Sequence, residues 1–281
     1  MKTVASRMLP DVRNIKDIKT RRMIKQERIK ADTLDLFGEE PPAELLKPYV
    51  IAPEDQARVD ELQKKYTNRE RNIRRCWNRV QLYMPELMQG PSHDVLELSA
   101  AHGGMLEVLR HYGHNVMGSD YANMVSKRNG EEMRQFRKLN DKTFVRQEDD
   151  FGLPIDNADW PYRPICEPID LPMTIFDAGK TPYPFDDKSY DYTMCFHAIE
   201  HYCHPDDWMD LVDEFCRITR KTVFIMLNRL VPEFRAKEDY NEAFTTFRRN
   251  MRDYNKNGFR CQATFVHWDS ALGFKLMATG D

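Results

Sequence analysis

The sequence predicts an α/β protein: a mostly parallel sheet with helices on both faces, preceded by a helical N-terminal extension. Three observations predict it. From Asp94 onward, short apolar runs alternate with segments of helical periodicity. The first run, Val95-Leu96-Glu97-Leu98, ends in small residues, Ser99-Ala100-Ala101-His102-Gly103-Gly104, and passes directly into Met105-Leu106-Glu107-Val108-Leu109-Arg110 at helical spacing. A second run, Asn115-Val116-Met117-Gly118-Ser119, ends on Asp120. Strand, tight turn, helix, strand and acid, in that order, is the layout of a nucleoside-binding α/β unit.

The same patterning places the other elements. Strands are expected at 94–98, 115–119, 173–177, 190–196, 222–227 and 262–267, with a last one at 273–278. Helices are expected at 103–112, 121–138, 205–219 and 239–256. Upstream, Val59, Leu62, Tyr66, Ile73, Trp77, Val80, Leu82 and Met84 recur at helical intervals, so 54–88 reads as helical, closed by Met88-Gln89-Gly90-Pro91. Pro41-Pro42 and Pro48 mark an irregular connector at 38–52. The division is therefore an extension at 1–88, partly irregular over 1–50, and a domain at 89–281. Within that domain, 141–172 carries Pro154, Pro161, Pro164, Pro168 and Pro172 with little periodicity. An irregular insertion of that length is expected to be a lid or substrate loop.

Composition bounds the function. The chain has 281 residues, 41% hydrophobic and 31% charged, with a net charge of −3. That is enough for a sizeable core, and it favours no polyanionic partner for the molecule as a whole. No apolar run approaches the ~20 residues that span a bilayer, and the N-terminus lacks the apolar core of a secretory signal. A cytoplasmic protein with no membrane partner is expected. Cys76, Cys166, Cys195, Cys203, Cys216 and Cys261 form no C-x-x-C pair, which points to free thiols rather than a disulfide framework. Residues 1–30 hold ten Lys/Arg against three Asp/Glu. One reading is an arm that contacts nucleic-acid phosphates. A solvated helix or tail is preferred, because no aromatic residue interleaves these charges to stack on bases.

Four spaced segments resemble the class I S-adenosylmethionine-dependent methyltransferases. Leu96-Glu97-Leu98-Ser99-Ala100-Ala101-His102-Gly103 is similar to their acid and glycine-rich turn, and Val116-Met117-Gly118-Ser119-Asp120-Tyr121-Ala122 to their second motif. Ile175-Phe176-Asp177-Ala178, then Tyr183-Pro184-Phe185-Asp186-Asp187-Lys188-Ser189-Tyr190-Asp191, is similar to the approach to their fourth strand. His197-Ala198-Ile199-Glu200-His201 with Pro205 is similar to the segment that follows it. The resemblance covers about 92–281 and implies a Rossmann-like fold with a seven-stranded sheet. It also implies S-adenosyl-L-methionine as cofactor and S-adenosyl-L-homocysteine as product. Glu97 would then hold the methionine ammonium, Asp120 the two ribose hydroxyls and Asp177 the adenine amino group. Ser99, Ala101, Gly103, Tyr121, Ala178 and Phe196 would line the same site. Ser99 and Ala101 stand where the family carries glycine, and His102 adds bulk beside them. A methyl or hydroxymethyl group there is expected to narrow the pocket, although Ser99 would also be placed to bond the methionine carboxylate.

His197, His201, Cys203 and His204 follow the fourth strand, at the edge where open α/β sheets bind ligands. A neutral imidazole there suits removal of the acceptor proton, so His197 and His201 are the candidate catalytic residues. Packing against neighbouring strands is the plainer alternative. His197-x-x-Glu200-His201 also spells H-x-x-E-H, a zinc-peptidase signature, but it follows a buried strand instead of lying within a long helix. Some methyltransferases hold a divalent cation with E-x-x-E-H, and here His197 replaces the first glutamate. No metal ligand is assigned. Trp160, Tyr162, Tyr183, Phe185 and Trp208 form either an aromatic wall for a planar substrate or ordinary packing, and Asn228-Arg229 lies at the ligand edge. The function expected is methyl transfer to an oxygen, nitrogen or carbon of a small or medium-sized acceptor. A catalytically silent binding protein and a nucleic-acid methyltransferase using the basic arm are the alternatives.

Overall fold

A computed structural model describes residues 40–121, 160–230, 232–266 and 272–280. The basic arm at 1–30, the expected helix at 121–138 beyond Tyr121, and the first part of the 141–172 insertion lie outside the described residues.

The short helices α1 (Gln56–Glu61) and α2 (Lys64–Thr67) lead into α3 (Arg69–Tyr83), so the expected helical stretch at 54–88 is broken into pieces. Asn68 is the cause of the last break. It leaves helical geometry and its side chain accepts from the Arg71 N–H, which caps α3. Then come β1 (Asp94–Leu98), α4 (Gly104–His111), β2 (Asn115–Asp120), α5 (Arg163–Cys166), β3 (Met173–Ile175) and β4 (Tyr190–Phe196). The chain continues through α6 (Trp208–Ile218), β5 (Thr219–Met226), α7 (Pro232–Arg235) and α8 (Glu238–Arg252). It ends in β6 (Asn255–Lys256), β7 (Phe259–Val266) and β8 (Leu272–Ala278).

One sheet runs in the order β3-β2-β1-β4-β5-β8-β7-β6. β3 through β5 pair in parallel, and β8 enters antiparallel between β5 and β7. The seven expected strands are all present, and the two-residue β6 is an eighth, appended as a hairpin to β7. Strand order reverses between β1 and β4, and open α/β sheets bind ligands at the carboxyl ends of such strands. β1 and β4 are buried on both faces, which is why they read as apolar runs without alternation.

Each face carries its own core. On one, Ile73, Trp77 and Val80 of α3 pack with Met105 and Val108 of α4 against Val95, Met194 and Phe224. On the other, Leu211 and Phe215 of α6 and Tyr240, Phe247 and Met251 of α8 cover Leu96, Cys195, Val223 and Ile225. Helix α3 is therefore built into the sheet's packing. Arg69 at its first turn, partly buried, forms an ion pair with the almost wholly buried Glu107 of α4. Arg69→Met leaves that carboxylate buried without its cation, and about 3–5 kcal/mol of stability is expected to be lost. Urea unfolding measures it; an unchanged midpoint would mean the pair contributes nothing.

The six cysteines carry no disulfide, and among the described residues no helix is long and apolar enough to cross a membrane.

Candidate active site

The carboxyl ends of β1, β2 and β4 open into a cleft of about 470 Å³, within the roughly 300–1,000 Å³ of small-molecule sites. Ten of the eleven sequence-predicted residues line it: Glu97, Ser99, Ala101, Asp120, Tyr121, Asp177, Ala178, Phe196, His197 and His201. Gly103 does not. It precedes α4 with φ +68°, and a Cβ there would lie 2.3 Å from Leu171 Cδ1. Its glycine is needed for the close packing of Leu171, on the side away from the cleft lining.

The turn after β1 keeps the shape of a glycine turn without the glycines. Ser99 (φ +56°) and Ala101 (φ +48°) both adopt the left-handed conformation, which costs a non-glycine residue about 1–2 kcal/mol. Tertiary hydrogen bonds hold them there. The Ser99 hydroxyl bonds the Tyr202 hydroxyl at 2.6 Å, and the Ala100 N–H donates to the Ser119 carbonyl at 2.9 Å. The Ala101 N–H donates to Asp120 Oδ2 at 3.1 Å, and the Tyr49 hydroxyl to the His102 carbonyl at 3.3 Å. Burial and the Arg75 and Arg79 charges hold the His102 imidazole neutral, down to about 3, and its Nδ1 accepts from the Gly104 N–H. Ala101→Gly removes one strained position and is expected to raise stability by about 1 kcal/mol, read as a higher thermal midpoint. An unchanged or lower midpoint would show that the methyl packing matters more.

Three carboxyl groups face this cleft with raised proton affinity. Burial pushes Glu97 up to about 8, with the Asp120 charge adding to it and Arg79 opposing. Burial pushes Asp120 up to about 7, although the Tyr121 and Ala101 N–H groups both donate to it. Burial likewise pushes Glu200 up to about 7. Glu97 Oε2 is buried with no hydrogen-bond partner among the described residues. Such an atom is costly unless a ligand completes it.

Helix α3 supplies what the sequence reading missed. Arg79 lies 8% exposed beneath the cleft, with its Nε and Nη2 buried and unpartnered among the described residues. Its guanidinium sits over the Phe196 ring at 5.1 Å. Burial, with Arg75 nearby, lowers it to about 10, and it remains a cation at neutral pH. Asn72, Cys76 and Arg79 recur at one helical face, and all three line the cleft. That periodicity was the available signal.

The histidine segment after β4 is not a metal-binding helix. His197 has φ +55°, and Ile199–His201 form a single 3-10 turn. Glu200 accepts from the Asn228 backbone N–H and from Asn228 Nδ2, which ties this turn to the end of β5. Among the described residues no group of three or more His, Cys, Asp or Glu side chains is placed to hold a metal ion. Burial holds His201 neutral, lowered to about 4 with Lys65 contributing. Asp177 accepts from the Gly179 N–H at 3.0 Å, capping its own turn.

None of the five aromatics weighed as a substrate wall lines the cleft. Trp208 packs edge-on against Phe247, its indole N–H donating to the Cys203 carbonyl. Tyr183 donates to the Ala178 carbonyl at 2.6 Å and packs with Phe176, which also meets Phe185 edge-on. Trp160 and Tyr162 are buried with Leu62 and Ile165. The cleft's aromatic lining comes instead from Tyr66, Tyr121, Phe176, Phe196, Tyr202, Phe234, Tyr240 and Phe244.

The Methyltransferase domain family matches residues 64–276, well over half of the chain, and the chain belongs to that family. The match starts within α2, so it includes the arginine-bearing α3. No curated protein matches the chain. Solved structures with a similar fold include the PH0226 protein from Pyrococcus horikoshii OT3, at 14% identity over 73% of this chain and 92% of that one, TM-score 0.45. Magnesium protoporphyrin IX methyltransferase from Synechocystis PCC 6803 with bound SAM is similar at 13% identity over 75% and 83%, TM-score 0.40. A Haloferax volcanii methyltransferase complex with the Trm112 activator is similar at 16% over 83% and 99%, TM-score 0.44.

Proposed function

We propose that the cleft binds S-adenosylmethionine and that the protein transfers its methyl group to a small or medium-sized acceptor. Two buried groups with unfilled hydrogen-bonding capacity, the Glu97 carboxyl and the Arg79 guanidinium, carry this reading. Glu97 offers an unpartnered acceptor, and Arg79 offers unpartnered donors next to it. An α-amino acid end, ammonium and carboxylate together, would satisfy both. Asp120 accepts on both oxygens from backbone N–H groups, with the Trp160 indole also close by, and its remaining acceptor capacity would meet the two hydroxyls of a ribose. Asp177 and Ala178 would meet the adenine.

When bound, the cofactor supplies an electrophilic methyl group on a sulfonium. The chain's own part is to place and deprotonate. Closing the acceptor against Phe196, Tyr240 and Phe244 excludes water and aligns the nucleophile, and such positioning is worth several kcal/mol. His201 is neutral, so it is in the form that accepts a proton, while burial lowers its affinity and makes it a weak base. His197 is the second candidate, held by its N–H on the Met226 carbonyl at 2.7 Å and by Asn228 Nδ2 on its own carbonyl at 3.0 Å.

Calorimetric titration with S-adenosylhomocysteine tests the reading. Saturable binding in the wild type that is lost in Glu97→Ala supports it. No heat and no thermal shift at millimolar ligand would overturn it in favour of a silent binding protein of the same fold.

A further inference from the structure

A second hollow of about 410 Å³ adjoins the cleft, and Asn228, Arg229, Leu230 and Phe244 line both. Its other walls include Arg235, the last residue of α7, Arg248 of α8, and the apolar side chains of Val266 and Leu272. Three arginines thus converge on one space whose described lining includes no aspartate or glutamate. Among the described residues none of the three forms an ion pair. Arg248 adds a sharper fact. Its Nε is buried with no hydrogen-bond partner among the described residues, while its guanidinium rests against the Phe244 ring at 5.8 Å. Burial and the Arg252 charge push its proton affinity down. The chain as a whole is net acidic, at −3, so this concentration of positive charge is local.

We propose that this hollow is the anchoring subsite of the methyl acceptor and that the acceptor carries a phosphate group bound there by Arg229, Arg235 and Arg248. The inference rests on the methyltransferase reading of the adjoining cleft. Asn228, Arg229, Leu230 and Phe244 line both spaces, so the two lie side by side and an acceptor extending past this shared wall would reach both. Guanidinium forks match phosphate oxygens in pairs. A single carboxylate is matched by one such fork, whereas a phosphate carries about −1.5 to −2 charge with three acceptor oxygens, and that suits three arginines. Neither His197 nor His201 lines this hollow, so a phosphate there would orient the acceptor without being the nucleophile.

The test uses the full chain saturated with S-adenosylhomocysteine and titrated with inorganic phosphate, with acetate at equal ionic strength as control. Saturable phosphate binding is expected, weakened about tenfold or more in the double variant Arg235→Gln/Arg248→Gln, with acetate giving none. Affinity for S-adenosylhomocysteine is expected to be unchanged in that variant, which also reports that it folds. A charge-preserving Arg235→Lys/Arg248→Lys variant retains part of the phosphate affinity. The source of the phosphate is read in parallel from a nucleoside monophosphate and a short single-stranded RNA. Equal affinity per phosphate identifies a small phosphorylated acceptor, whereas tighter RNA binding lost in the same double variant identifies a nucleic-acid backbone. Phosphate behaving like acetate, or binding the double variant as it binds the wild type, overturns the proposal even if S-adenosylhomocysteine binds. If S-adenosylhomocysteine fails to bind the wild type, the methyltransferase reading falls, and the acceptor subsite falls with it.

Discussion

Asp120→Ala lowers the affinity for S-adenosylhomocysteine about a hundredfold, close to 3 kcal/mol. The carboxyl ends β2 and is buried among groups that already use one lone pair on each oxygen, the Ala101 and Tyr121 N–H groups. A ribose would take the remaining acceptors. Truncation therefore strands two ligand hydroxyls in a desolvated cleft, where the lost partners cannot be replaced fully by water. The same change frees the Ala101 N–H, and Ala101 is one of two left-handed residues in the turn. Some loss of stability accompanies the loss of affinity for that reason. Asp120→Asn separates the two effects, since an amide keeps one acceptor oxygen and its shape. Thermal midpoints and calorimetric affinities for both variants decide the matter. An Asp120→Ala protein that binds as the wild type does would remove Asp120 from the proposed site.

What could be read locally was legible in the sequence, and what depended on docking was not. β1 and β4 have the boundaries expected, because strands buried on both faces show as unbroken apolar runs. β5 begins at Thr219 instead of 222, since its first residues are polar for reasons outside the strand. The Thr219 hydroxyl bonds Thr193 Oγ1 and the Phe215 carbonyl, both at 2.6 Å, and Arg220 pairs with Asp191 and Asp94. The helix expected at 239–256 stops at Arg252, and Asn255–Lys256 pair with β7. Asn257-Gly258, both at positive φ, is a hairpin turn that the letters already spelled.

The candidate site divides the same way. Glu97 and Asp120 lie at the carboxyl ends of β1 and β2 and Asp177 two residues past β3, so their gathering in one cleft follows from parallel strands in register. Arg79 does not follow from any local rule. It sits one helix upstream of β1 and reaches the cleft because Ile73, Trp77 and Val80 dock α3 on the sheet. The left-handed Ser99 and Ala101 were visible as missing glycines, but what retains their geometry, the Tyr202 hydroxyl and the Asp120 carboxyl, comes from distant segments.

Raising the pH from about 6.5 to about 8 is expected to destabilise the free protein by up to about 3 kcal/mol and to tighten its affinity for the cofactor product. Glu97, Asp120 and Glu200 have proton affinities raised to about 8, 7 and 7 by burial. In the unfolded chain the same groups lose their protons near pH 4. Their protonated, folded form is thus a source of stability that is complete below that pH and is lost as pH rises through their folded values. His102 and His201 act in the opposite sense, being lowered to about 3 and about 4, but their contribution is complete once pH exceeds about 6.5. The carboxyl groups therefore dominate the slope above that point. Binding changes the balance at Glu97. A ligand ammonium favours the carboxylate, so binding near neutral pH releases a proton, and affinity rises with pH until Glu97 is ionised in the free protein as well. Thermal midpoints across this range, and calorimetry in two buffers of unequal ionisation enthalpy, read both effects. Stability that rises toward pH 8, or a binding heat independent of buffer, would show that these carboxyl groups are already ionised in the free protein and that no cation is awaited at Glu97.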